Sequence, residues 1–196
     1  MYEVTDLVIG ADGLARCAWG SSTPDYAIYH DTEWGRPLRG DDALYERMTL
    51  EAFQSGLSWL TILRKRPAFR LAFDEFHIPT VARYDDADVT RLLADAGIVR
   101  NRAKIEATIA NARAALELPE GLSALLWSFA PEPRPARLAS FAELAPITAE
   151  STAMAKALKK RGFRFVGPTT AYALMQATGM VDDHIVGCHV TRPPAA

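Results

Sequence analysis

Cysteine is scarce in this chain: its 196 residues contain two, Cys17 and Cys188. That excludes a disulfide-stapled scaffold, which relies on several bridges in a much shorter chain. Long apolar runs are missing as well, and the opening MYEVTDLVIG lacks the basic-then-apolar order of a leader peptide. A soluble cytoplasmic protein is therefore expected, with no membrane partner. Neither sign of charge is in excess. Twenty-two basic and 24 acidic residues give a formal charge of −2, so any affinity for a polyanion must come from local clusters. The sequence shows no convincing set of alternating strands, no internal repeat and no low-complexity tract.

Hydrophobic residues make up 49% of the chain, enough for one substantial core or for two small lobes that share one. Their spacing is helical. Ile105, Ile109, Ala112 and Leu116 form one apolar stripe, while Arg102, Glu106 and Arg113 fall elsewhere on the same helix. Helices are expected near 42–57, 67–75, 86–95, 101–117, 121–129, 149–160 and 168–179, an all-α fold. Pro67 suits a first helical position, and Gly162 suits the residue that ends a helix in a left-handed conformation. Pro131, Pro133 and Pro135 mark a loop that divides two lobes within a unit at 15–190. Residues 1–14 and 191–196 are expected to be a peripheral extension and tail.

Each cysteine has a histidine at metal-ligand spacing: Cys17 lies thirteen positions before His30, and His184 four before Cys188. If the four side chains converge, they form a Cys2His2 set of the kind zinc prefers, clipping the N-terminal region to the C-terminal one. The plainer alternative is a pair of buried apolar cysteines and two satisfied core histidines, with His189 a competing neighbour. Spacing alone leaves both open.

In ALKKRGFRFVGPTTAYALMQATG one helix ends at Gly162, four residues turn, and another starts at Gly167, Pro168 and Thr169. Glycines allow close backbone approach, and the free amides at the second helix start suit a phosphate oxygen. Lys159, Lys160, Arg161 and Arg164 add local positive charge, and Arg64, Lys65 and Arg66 form a second basic cluster. An ordinary helical hairpin with a solvated basic end is the alternative.

Leu44, Met48 and Glu51 are spaced by four and three residues, so a carboxylate points where apolar side chains point. Burying it bare costs several kcal/mol, so it needs a donor or a cationic ligand. Nearby in sequence lie Trp19, Tyr26, Tyr29, Trp34, Tyr45, Phe53 and Trp59. Flat rings around a carboxylate suit a flipped, positively charged purine. A core aromatic cluster with Glu51 bonded by Tyr or Trp donors is the alternative.

RCAW at 16–19, YHDTEWG at 29–35, LEAFQSGLSW at 50–59, DAGIVRNRAKI at 95–105, LKKRGFRFVGPT at 158–169 and DDHIVGC at 182–188 carry a resemblance. From about Arg16 to Cys188 the chain resembles the 3-methyladenine DNA glycosylase I family of bacterial alkylation-repair enzymes. The resemblance implies a helix-hairpin-helix glycosylase fold with a structural zinc held by Cys17, His30, His184 and Cys188. It also implies a base pocket of Trp19, Tyr26, Tyr29 and Trp59, with Glu51 contacting the base as the catalytic residue. Gly56 and Leu57 would approach DNA, the leucine as a wedge in the space left by the flipped nucleotide, with Gly162, Arg164, Gly167 and Thr169 on the backbone. The partner implied is double-stranded alkylated DNA, bound by a monomer acting at the nucleoid, and the product is free 3-methyladenine. Asp182 stands where the wider superfamily carries a catalytic aspartate. Asp182 and Asp183 are expected instead to orient His184 or cap a helix. No lysine stands in that segment, so a monofunctional hydrolase that leaves an abasic site is expected.

Overall fold

A computed structural model describes residues 6–191. Among them, a short antiparallel hairpin, β1 (Leu7–Ile9) and β2 (Ala15–Cys17), precedes α1 (Pro24–Thr32), α2 (Asp41–Gln54), α3 (Trp59–Ala72) and the single turn α4 (Ile78–Val81). There follow α5 (Asp86–Ala94), α6 (Arg102–Leu116), α7 (Leu122–Trp127), α8 (Ala149–Lys160) and α9 (Pro168–Ala177). No described helix is long and apolar enough to cross a membrane.

The helix starts follow local capping chemistry, in which a side-chain oxygen satisfies an otherwise orphaned amide. Thr23 caps α1, Ser58 caps α3, Asn101 caps α6, and Asp85 and Thr148 close capping boxes on α5 and α8. Gly162 ends the α8 segment at φ +88°, as expected. The basic residues Lys159 and Lys160 sit in the last turn of α8, where they complement the negative end of the helix dipole.

Four expectations need correction. Pro67 does not open a helix: α3 begins eight residues earlier, because the Ser58 hydroxyl accepts from the Thr61 amide and fixes the start there. The helix α1 carries no amphipathic stripe to announce it, and only Tyr29 and His30 are buried on it. Residues 7–9 pair with residues 15–17 in a short hairpin where no strand was expected, because strands of three residues are too short to show a period. Of the expected α6 stripe, Ile105, Ile109 and Ala112 are buried and Leu116 is exposed, and Lys104, Thr108 and Asn111 are buried beside it. The tail at 192–196 lies outside the described residues.

Buried side chains of α2 to α9 form a continuous core around Leu44, Met48, Phe53, Phe69 and Phe73. Aromatic rings pack closely within it, Phe53 and Phe69 at 4.8 Å between centroids. Two smaller clusters sit beside this core and carry the chemistry. One surrounds Cys17 and Cys188, and the other gathers Tyr29 and Trp34 with Trp19, Tyr26 and Trp59 against them.

Candidate functional site

Glu51 lies on α2 one turn after Arg47 and is buried, its carboxylate at the wall of a cavity of about 340 Å³. The rings of Trp19, Tyr26, Tyr29, Trp34 and Trp59 line that cavity, with Gln54, Phe141, Leu144, Ala173 and Gln176 completing it. Trp19 stands edge-on to Tyr26 at 5.6 Å and to Trp34 at 4.9 Å, and Tyr29 is tilted against Trp59 at 5.4 Å. The structure thus brings Glu51 and all four sequence-chosen aromatics to one cavity.

The surrounding bonds hold this wall in place. Arg47 donates to the Tyr29 hydroxyl at 2.8 Å and to Glu33 at 3.1 Å, and Glu33 receives both ends of Arg66 at 2.6 and 2.7 Å. Burial acts against the charged form of Glu33, yet Arg66 and Arg47 keep its carboxyl below the usual range. Burial pushes the pKa of Glu51 up to about 7, and the charge of Arg47, which also pairs with Glu33, offsets that rise only in part. Tyr29 accepts from Arg47, so its own proton remains free to donate into the cavity. Trp59 Nε1 is buried away from the open cavity and has no hydrogen-bond partner among the described residues. The Leu60 amide donates to the Tyr26 hydroxyl at 3.0 Å, which ties α1 to α3.

Arg47, Glu33, Gln176, Phe141 and Leu144 escaped the sequence reading. Arg47 carries a usable signal, since it lies four residues before Glu51 on the same helical face. Phe141 and Leu144 come from the connection after the prolines and follow no period.

Behind the cavity the two Cys-His pairs meet. The ligand atoms of Cys17, His30, His184 and Cys188 all lie within 4.8 Å of one another, and all four residues are buried. Cys17 Sγ is 3.7 Å from His184 Nδ1, and Cys188 Sγ is 3.5 Å from both His30 Nε2 and His184 Nδ1. A tetrahedral zinc with ordinary Zn–S and Zn–N bonds sets sulfur and nitrogen about 3.6 Å apart, so the spacing fits the ion. The far ring nitrogens agree with it. His30 Nδ1 faces Asp31 Oδ1 at 2.8 Å and His184 Nε2 faces the Trp34 carbonyl at 3.1 Å. Each acceptor places the ring proton on that side and turns the other nitrogen's lone pair toward the sulfurs. Gly20 is required beside this set, because a Cβ there would lie 2.6 Å from the His30 ring.

Asp31 also accepts from Arg16 at 2.8 Å and from His189 at 2.9 Å. His189 therefore joins the carboxylate rather than the sulfurs. Asp182 is engaged in structure: Arg137 donates to it at 2.8 Å and the His184 amide at 3.3 Å. Asp183 pairs with Arg134 at 2.7 Å and accepts from Tyr172 and Gln176, both at 2.8 Å. Asp182 thus holds the backbone of His184, while the orientation of the imidazole ring falls to the Trp34 carbonyl.

Gly56 and Leu57 lie exposed in the turn between α2 and α3, and Gly162, Arg164, Gly167 and Thr169 in or beside the turn between α8 and α9, where Gly167 is half-buried. The second basic cluster is largely spent on internal partners. Arg64 pairs with Asp25, Arg66 with Glu33, and Lys65 donates to the carbonyls of Ala96 and Gly97.

A cavity with flat walls, a spare hydroxyl donor and one buried carboxylate is a receptor for a planar ring with a polar edge. Comparison with known proteins places that receptor in a family. The profile of the methyladenine glycosylase family matches residues 19–192. DNA-3-methyladenine glycosylase 1 of Escherichia coli strain K12 is 46% identical over 179 residues, covering 89% of this chain and 96% of that protein. A crystal structure of 3-methyladenine DNA glycosylase I superposes with a TM-score of 0.85 at 46% identity, covering 89% of this chain and 98% of the other. A variant of 3-methyladenine DNA glycosylase I in complex with 3-methyladenine superposes equally, with a TM-score of 0.85 at 33% identity and coverage of 92% and 99%. The chain belongs to the methyladenine glycosylase family.

Proposed function

We propose that this protein hydrolyses the N-glycosidic bond of N3-methyladenine in alkylated duplex DNA and leaves an abasic site. The observation that carries the reading is the cavity in which Glu51 stands among Trp19, Tyr26, Tyr29 and Trp59. Methylation at N3 makes the adenine cationic, so the base leaves neutral when its bond to the sugar breaks and water adds at the sugar carbon. Much of the activation is thus present in the substrate. The chain has to extrude the nucleotide, stack the cationic ring on its aromatic walls and face it with the Glu51 carboxylate. The cation restores the charged form of Glu51 that burial disfavours. Tyr29 supplies a donor for the base edge, and Trp59 a stacking wall.

The turn after α2 would carry Leu57 toward the space vacated by the flipped nucleotide, and the α8–α9 hairpin would take the backbone phosphates as a helix-hairpin-helix motif. Cys17, His30, His184 and Cys188 would hold a zinc ion whose contribution is to fasten the chain ends, because four protein ligands leave no position for water. Binding and chemistry then fall to the cavity residues.

The test is base release. Wild-type protein is expected to liberate 3-methyladenine from methylated duplex DNA, and Glu51→Ala to slow that release by at least tenfold while the protein stays folded. Release no faster than in buffer alone would refute the assignment.

A further inference from the structure

Beside the buried apolar stripe of Ile105, Ile109 and Ala112, α6 also buries three polar residues, Lys104, Thr108 and Asn111. Lys104 Nζ reaches the end of α2 and donates to the carbonyls of Phe53 at 2.8 Å and Ser55 at 2.7 Å. Those carbonyls are the negative end of the helix, so a cation there satisfies orphan acceptors and meets the dipole at once. Burial lowers the lysine's pKa, which measures the cost of keeping it there. The next residues along α2 form the exposed turn of Gly56 and Leu57.

Asn111 grips a different segment. Its Nδ2 donates to the Arg164 carbonyl at 3.1 Å, and its Oδ1 accepts from the Arg164 amide at 2.7 Å, so one side chain satisfies both polar groups of that residue. Phe165, next in the α8–α9 hairpin, holds a left-handed backbone at φ +55°, which a bulky residue adopts only where its surroundings impose it. Lys104 and Asn111 are seven residues apart, two helical turns, so the two grips lie about 10 Å apart along one rigid rod. Neither residue lines the cavity. The Tyr45 hydroxyl adds a bond from α2 to the Thr108 carbonyl midway between them.

We propose that α6 is a spacer that fixes the separation of the two DNA-facing turns, with Lys104 and Asn111 as its positioning residues. The inference rests on the proposed DNA glycosylase activity. A flipped nucleotide can be held only if the wedge turn and the phosphate-gripping hairpin meet the duplex at one separation, and α6 holds both from behind.

The experiment first measures 3-methyladenine release by the wild type; failure there refutes the activity itself and leaves the spacer without a function. With activity present, Lys104→Met, Asn111→Ala and the double variant are compared for affinity to a duplex carrying a tetrahydrofuran abasic analogue, and for affinity to free 3-methyladenine by tryptophan fluorescence. Each single variant is expected to bind the duplex about tenfold more weakly and the free base within about twofold of wild type. Independent sites that far apart would multiply to about a hundredfold in the double variant, whereas disruption of one shared spacing makes the second substitution nearly silent, at about ten- to twentyfold. Multiplicative weakening, unchanged duplex affinity, or equal weakening of free-base binding would each overturn the proposal. If Lys104→Met does not fold, Lys104→Gln, which keeps a donor for one carbonyl, carries the same comparison.

Discussion

Glu51 is a carboxylate that the fold withholds from water, and the charge of Arg47, shared with Glu33, offsets that burial only in part. Its pKa stands at about 7 against an ordinary 4.5, chiefly because of burial, so the folded chain holds a proton that the unfolded chain releases from pH 4.5 upward. Stability therefore falls as pH rises from about 4.5 through about 7, by about 3 kcal/mol in all. Glu51→Gln should match wild type near pH 4 and exceed it increasingly up to about pH 7, with a level difference above that, in urea melts; a pH-independent difference would contradict this account. Activity should run the opposite way. The carboxylate must be charged to face a cationic base, so kcat/KM for base release should rise as pH passes through about 7. At this scale much was legible, because three-and-four spacing placed Glu51 inward and the aromatics crowd around it in sequence. Arg47, which moderates the carboxylate's proton affinity, and its partner Glu33 were not. Their pairing joins α2 to the end of α1, and no local period reports such a contact.

Among the elements, the helices with marked caps and strong amphipathic faces were the readable ones; α8 was placed residue for residue, aided by Gly162 after it. The helices that build the pocket were harder. α1 buries two residues, and α3 carries a proline in its interior, which reads as a start. The Cys-His pairing was legible as spacing, but its long-range closure became visible only when β2, α1 and the segment after Met180 came together. Asp31 is the hinge of that closure. Burial opposes its charge, but hydrogen bonds from Arg16, His30 and His189 hold its carboxyl well below the usual range. It thereby fixes the His30 ring and, through Arg16, the hairpin that delivers Cys17. Asp31→Ala should lower zinc affinity by about 10- to 100-fold in chelator competition, as removal of an orienting partner does elsewhere. Unchanged affinity would show that packing against Trp19 and Trp34 suffices to hold the ring.

For the whole molecule, the formal charge of −2 hides a division of labour among the basic residues. Arg64, Lys65 and Arg66 are tied to Asp25, to two backbone carbonyls and to Glu33, so they brace α3, and Arg64 and Arg66 have their charges paired. Lys159, Lys160 and Arg164 are exposed on the hairpin that α6 grips through the Arg164 backbone. Composition could not separate these groups, because both are short basic runs. Salt dependence separates them. Removing one lysine or arginine from a phosphate should reduce the slope of log affinity against log salt by about 0.9 for B-form DNA. Replacing Lys159, Lys160 and Arg164 by alanine should therefore flatten the slope by about two to three on an abasic duplex. Arg64→Ala, which breaks an exposed pair of small energetic weight, should leave the slope unchanged. If Arg64→Ala flattened the slope as much as a hairpin substitution, the DNA track would have to run across α3, and the α8–α9 turn would be an ordinary helical connection.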